Sequence, residues 1–155
     1  MFWDTEAGTH GLKFNPLKSC VVPRPIGWIT TLRADGKVNL APFSQFALFG
    51  FEPGYVGLSG SVHASDLRRK DSIELAERNG AFVYNMATLA HVQQMNASSQ
   101  IIDSETSELE ATGLTAAPSR KVATPRVAEA PVAFECKVHT VVMLPGNTRG
   151  IVLND

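Results

Sequence analysis

The sequence predicts a mostly β chain with short helices, built as a closed antiparallel barrel with the helices packed on its outside or ends. Three observations carry this. Several short runs are rich in β-branched and aromatic residues and bounded by turn residues. The helical stretches are few and short. A long C-terminal run alternates apolar and polar residues and then turns back on itself. At 155 residues and 44% hydrophobic, the chain suits one core, so residues 1–155 are read as a single domain.

The elements follow in order. Residues 26–33 (IGWITTLR) form a strand, and Ala34-Asp35-Gly36 turns the chain into a second run starting at Val38, which makes a hairpin. That second run, VNLAPFSQFALFGF, contains Pro42, which has no amide to give a ladder, so a bulge or bend is expected there. Pro53-Gly54 ends it, and Tyr55 to Ser59 form a third strand. A helix over about 71–79 follows. Asp71 and Glu74 have capping-box spacing, Ile73, Leu75 and Ala76 supply an apolar side, and Gly80 suits the stop.

Residues 81–86 (AFVYNM) are strand-like, and Thr88 is placed to cap a short helix through Leu89, Val92 and Met95. A short polar helix near 106–112 ends at Gly113. Pro118, Pro125 and Pro131 then make the following segment too proline-rich for a central strand. In the last long strand Val132, Phe134, Cys136, Val138, Val142 and Leu144 alternate with Ala133, Glu135, Lys137 and His139. Pro145-Gly146-Asn147 turns the chain, and Arg149 to Leu153 pair back.

Composition excludes several classes. Fourteen basic and fifteen acidic residues give a net charge of -1, which implies no polyanion-binding stripe and no nucleic-acid partner. No apolar run approaches the roughly 20 residues of a membrane span, and the N-terminus lacks signal-peptide character, so a cytoplasmic protein with no membrane partner is expected. Cys20 and Cys136 read as reduced core thiols. The four histidines lie in different elements without metal-ligand spacing, so no metal is expected. Dinucleotide, P-loop, zinc-protease and nucleophile-elbow motifs are absent.

The positive signal is a pair of blocks, RPIGWITT (24–31) and NLAPFSQF (39–46), on the arms of the first hairpin. With LSGS, KDS, AFVYNM, MN, SELEATGL and APVAFECKV following in order, the chain resembles the flavin reductase-like family of FMN-binding split β-barrels from about Cys20 to Val138. The resemblance implies that backbone amides and hydroxyls of the first hairpin face an FMN. That points to Trp28, Ile29, Thr30 and Thr31, then Asn39, Ala41, Pro42 and Ser44. An isoalloxazine ring needs flat apolar walls and a few fixed donors, which such blocks supply. Thr30 and Thr31 also fit as plain strand residues, and Pro42 as an edge bulge.

The phosphate needs cations, hydroxyls and free amides. The block RRKDS (68–72) at a helix start offers these. By resemblance Ser59, Lys70, Asp71 and Ser72 are its contacts, although Asp71 reads better as a cap than as a ligand, because a carboxylate and a phosphate compete for one helix terminus. Arg68 and Arg69 fit equally as a solvated helix entry. Asn85 and Asn96 either touch the ligand or cap local backbone. FMN is favoured over FAD by the resemblance, and no adenine-binding signature is present.

No residue stands out as a general acid, base or nucleophile, which suits a cofactor that itself carries the electrons. The expected function is an FMN-binding oxidoreductase, either reducing flavin with NAD(P)H or passing electrons through bound FMN. The alternative is a non-catalytic flavin-binding or sensing module. Phe43, Phe46, Phe49 and Phe51, with Trp28 on the adjoining arm, put apolar side chains on both faces of one bent strand. A barrel interior takes only one face, so the other marks a partner surface and a homodimer is expected. The resemblance adds that the flavin sits at the subunit junction. Members of the family continue past the long hairpin, so the chain is read as lacking the usual C-terminal segment.

Overall fold

The computed structural model describes residues 2–4, 10–14, 16–61, 69–100, 106–144 and 148–154. Seven strands form one antiparallel sheet: β1 (Gly27–Leu32), β2 (Val38–Phe43), β3 (Phe46–Phe51), β4 (Gly54–Ser61), β5 (Ala81–Asn85), β8 (Ala133–Met143) and β9 (Thr148–Asn154). Their order is β2-β1-β5-β8-β9-β4-β3. A separate small sheet pairs β6 (Ala116–Ala117) with β7 (Arg126–Val127) inside the proline-rich segment. The helices are α1 (Pro16–Cys20), α2 (Asp71–Asn79), α3 (Val92–Ala97) and α4 (Glu108–Ala111), with a 3-10 turn at Leu89–His91.

The two ends of the sheet order, β2 and β3, are consecutive in the chain. They part at Ser44–Gln45, where the Ser59 amide donates to the Gln45 carbonyl at 2.9 Å. The sheet therefore curls so that its two edge strands meet at a bend, the antiparallel split barrel that the sequence leads one to expect. The bend corrects the break expected at Pro42. Pro42 lies within β2 opposite Trp28, on a sheet edge where a missing amide costs no ladder bond.

Alternation along the strands separates two cores. Ile29 lies between Ala41 and Tyr84, and Tyr84 faces Phe134 across the next pair. This face turns inward, where Ile29, Phe43, Phe82 and Cys136 pack with Val56, Leu58 and α2's Ile73 and Ala76. The opposite face carries Trp28, Val38 and Leu40, covered by Leu109, Leu114, Val127 and Ala130. Asn85 ties this cover down. Its amide nitrogen donates to the Trp28 carbonyl (3.2 Å) and its oxygen accepts from the Val127 amide (2.8 Å), so it serves backbone.

Helix α2 spans the predicted residues and stops at Gly80, whose φ of 65 suits glycine. Its start differs. Lys70 occupies the cap position in extended conformation with no side-chain cap bond, and Asp71 is the first helical residue. Thr88 likewise makes no cap bond and instead pairs with His91 Nδ1 at 3.0 Å. A register shift between Val138 and Thr140 in β8 changes the phase of the predicted alternation, so Val141 packs on the core while Val142 is exposed. Cys20 is exposed on α1, against expectation. Cys136 is buried, and burial pushes its thiol up to about 12.

Candidate functional site

A cleft of about 140 Å³ opens along the free edge of β2. Its walls are Asn39 to Phe43 of β2, Lys70 to Ser72 at the entry to α2, Ser98 to Gln100 after α3, and Glu108 of α4. As an edge strand, β2 turns alternate backbone groups away from β1. The Val38 carbonyl accepts from Ser107 Oγ at 2.8 Å, and the Leu40 amide faces the Glu108 carboxylate. Pro42 offers no donor there.

Asn39 links the strand to the helix. Its Nδ2 donates to Thr31 Oγ1 (3.0 Å) and to Ser72 Oγ (2.8 Å), and Ser72 accepts in this bond, so its hydroxyl proton remains available to a further acceptor. The first helical bonds of α2 come from the Ile73 and Glu74 amides to the Lys70 carbonyl (3.0 and 3.1 Å), which leaves the Asp71 and Ser72 amides ahead of them. The Lys70 ammonium shares the cleft with Asp71 and Glu108 but makes no ion pair among the described residues.

Glu108 stands in the cleft wall at the start of α4. Burial pushes its carboxyl above the usual range, and the neighbouring Asp71 adds to this, while the Glu108 and Leu40 amides and Arg33 offset part of it. Its Oε2 is buried without a hydrogen-bond partner among the described residues.

Of the predicted site residues, the structure brings Asn39, Ala41, Pro42, Lys70 and Ser72 together in this cleft. It places Trp28, Ile29, Thr30 and Thr31 behind it, all fully buried. Trp28 and Thr30 point into the outer core, with Trp28 Nε1 donating to Ser98 Oγ (3.0 Å) and Thr30 Oγ1 to the Pro125 carbonyl (2.7 Å). Ile29 and Thr31 point the other way, and Thr31 holds Asn39. Ser44 sits half-buried at the bend after β2, and Ser59 half-buried in β4 beside Gln45. Neither lines the cleft. Arg68 lies outside the described residues, and Arg69 pairs with Glu77. Asn96 is exposed, and its carbonyl accepts from Ser99.

The sequence reading missed Ser98, Ser99, Gln100 and Glu108. Glu108 lies within the SELEATGL block, where a glutamate beside a helix-capping serine was the available signal. Ser98 to Gln100 carry none, because only the fold carries the end of α3 to β2. Among the described residues there is no cluster of side chains able to hold a metal ion, and no helix is long and apolar enough to cross a membrane.

A curled antiparallel sheet with its cleft on the edge strand of the first hairpin defines a split-barrel class of protein. The family profile described as "Flavin reductase like domain" matches residues 19–153, and the chain belongs to that family. A curated Aquifex aeolicus protein, itself uncharacterised, is 38% identical over 122 residues, 79% of this chain and 62% of that protein. The chain spans less than two thirds of the length of the first curated relatives it matches. Nitrilotriacetate monooxygenase component B from Bacillus cereus superposes with a TM-score of 0.82 at 25% identity, covering 94% of this chain and 79% of that one. A split-barrel protein from Shewanella frigidimarina, at 22% identity and a TM-score of 0.75, covers 84% of this chain and 64% of its own, and shows the shared fold.

Proposed function

We propose that this chain binds FMN non-covalently and acts as a flavin-dependent oxidoreductase, reducing flavin with NAD(P)H or passing electrons through retained FMN, and that it works as a homodimer in the cytoplasm. The observation that carries the reading is the convergence at one end of the cleft. A lysine with no ion pair among the described residues, a hydroxyl with a spare proton and two amides at a helix start meet there, and this donor set suits a phosphate dianion.

The residues fit FMN in kind. Lys70 and Ser72 would hold the phosphate, and Asn39, Ala41 and Pro42 would line the path of the attached chain. Ser44 and Ser59, near the same bend, and the backbone of Trp28 to Thr31 would support the ring side. Ligand sites for molecules of this size are typically ~300–1,000 Å³, so the cleft takes only part of an FMN, and a second subunit would supply further wall. A bound flavin supplies hydride and electron chemistry, so the protein's own groups need only bind, orient and exclude water. Membership of the flavin reductase-like family supports the same reading.

The test is spectroscopic. Protein purified without added cofactor, or loaded with FMN, should show the two visible bands of oxidised flavin, and NADH or NADPH should bleach them. Turnover that rises with free FMN identifies a flavin reductase, whereas bleaching without release identifies a carrier. Bands that dithionite bleaches but neither nicotinamide does would overturn the enzyme and leave a flavin-binding or sensing module.

A further inference from the structure

The charges of the cleft do not match a phosphate. Among the described residues its wall carries one cation, Lys70, and two carboxylates, Asp71 and Glu108. A phosphate dianion entering beside Lys70 and Ser72 therefore joins a surface that is already net negative when both acids are ionised. The two acids stand differently. Asp71 is exposed at the first position of α2, where water and the helix terminus both favour its charge. Glu108 begins α4, which the Ser107 hydroxyl holds to the β2 edge, and is half-buried, with Oε2 shut off from solvent and given no donor among the described residues. Burial penalises a charge, so Glu108 is the acid that gives way.

No contact between Glu108 and the ligand is required, because charges act across several ångströms of poorly screened interior. Burial, and after it the Asp71 carboxylate, already hold the Glu108 carboxyl above its usual range, so Glu108 responds to a negative charge at the start of α2. A doubly charged phosphate at that same helix start would add to the effect. The other groups around Glu108 offset it only in part. Arg33, just after β1, lowers the carboxyl but is paired with Asp35, and the Glu108 and Leu40 amides lower it too. Glu110 on α4 itself is exposed to water, and β2 and the segment after α3 bring no charged group to the cleft. We propose that Glu108 takes up a proton from solvent when the phosphate of FMN enters the cleft, which makes it a specificity-determining residue: ionised, it opposes FMN and leaves riboflavin untouched, and protonated it opposes neither. The dependence on pH has a definite sign. FMN binding strengthens relative to riboflavin as the pH falls through the carboxyl's value in the filled site, and the gain is complete below its value in the empty one.

This inference rests on the flavin reading, and two probes keep them separate, since FMN carries the phosphate and riboflavin does not. Calorimetric titrations in two buffers of different ionisation enthalpy count the protons taken up on binding, at several pH values between about 5.5 and 8. Wild-type protein should take up protons with FMN and none with riboflavin, and Glu108→Gln should lose that uptake. Near pH ~6 the FMN phosphate brings protons of its own, equally for both proteins, so the difference between them is the quantity read. Glu108→Gln should also bind FMN roughly 10-fold more tightly than wild type at the alkaline end, and the two should converge at the acid end. Riboflavin binding should match throughout, which shows that the variant is folded, and the wild-type proton count needs no variant at all. Asp71→Asn should keep the uptake. A wild-type protein with no uptake at any pH, uptake that survives Glu108→Gln, or uptake that Asp71→Asn abolishes would overturn the role of Glu108 and leave flavin binding standing. Wild-type protein that binds neither flavin would overturn the flavin reading itself, and this inference with it.

Discussion

At the scale of single residues, the cleft works by leaving certain groups unpaired. Asn39 spends both amide protons on Thr31 and Ser72, which fixes Ser72 as an acceptor on one side and frees its proton on the other. Replacing both Lys70 and Ser72 by alanine should weaken FMN by roughly 10- to 100-fold and riboflavin far less, since only FMN carries the phosphate. Equal losses in parallel titrations would move the phosphate elsewhere. Glu135 shows the opposite economy, with a carboxylate fully engaged. It accepts from the Arg120 amide through both oxygens (2.9 Å each) and from the Lys121 amide, pinning the loop that ends at Pro125. The Arg120 amide is the main reason its carboxyl is held below the ordinary 4.5. A lowered carboxyl stabilises the fold above its unfolded value and loses that contribution as the pH falls through the folded one. Glu135→Gln should therefore cost about 1 kcal/mol at neutral pH, less than most charge-assisted bonds because the group is largely solvated, and less again at an acid pH below the ordinary carboxyl range. Denaturant melts at the two pH values check this.

At the scale of elements, the sheet depends on glycines that admit aromatic rings. A Cβ on Gly27 of β1 would lie 2.6 Å from Phe46 Cδ2 and 3.1 Å from Phe46 Cβ. Phe46 has little room to retreat, because its ring stacks on Tyr84 at 4.9 Å and 9°. Gly57 of β4 would meet the far end of the Phe49 ring, but Phe49 is 65% exposed and free to swing into solvent. Gly27→Ala should thus destabilise by ~1–3 kcal/mol, in the range for overpacking, while Gly57→Ala stays within about 0.5 kcal/mol. Comparable losses for the two in thermal melts would show that the Phe46–Tyr84 stack carries no special weight.

At the scale of the whole molecule, the fold leaves the edge strand β3 poorly covered. Edge strand β3 exposes Leu48 (54%), Phe49 and Phe51 (84%). Contiguous apolar exposure on an unpaired edge is the kind of surface that a second subunit covers. A twofold dimer burying at least ~1,200 Å² in total is the expectation, and flavin binding should strengthen it by mass action if both subunits wall the site. Sedimentation of apo and FMN-loaded protein at low micromolar concentration measures both effects. A monomer that retains stoichiometric FMN would show that one chain builds the entire site.

Local sequence determined the parts whose information is local. The first hairpin, the bounds of α2, its glycine stop and the long C-terminal strand follow from turn chemistry and from periods of two and 3.6, which neighbouring residues alone encode. Five cleft residues, Asn39, Ala41, Pro42, Lys70 and Ser72, were legible through the family resemblance that their two short blocks carry. Tertiary structure alone decided the rest. Strict alternation sends Trp28 and Thr30 to one core and Ile29 and Thr31 to the other, but which face meets which cover depends on the curl of the sheet. The phase of β8 turned on a bulge near Val138 that no periodicity announces. Ser98 and Glu108 reached the cleft because packing brings segments some 60 to 70 positions from β2 onto its edge, as in the Ser107 to Val38 bond. Contacts of that separation are set by how the folded sheet curves and buries its two faces, and stretches read one at a time do not encode them.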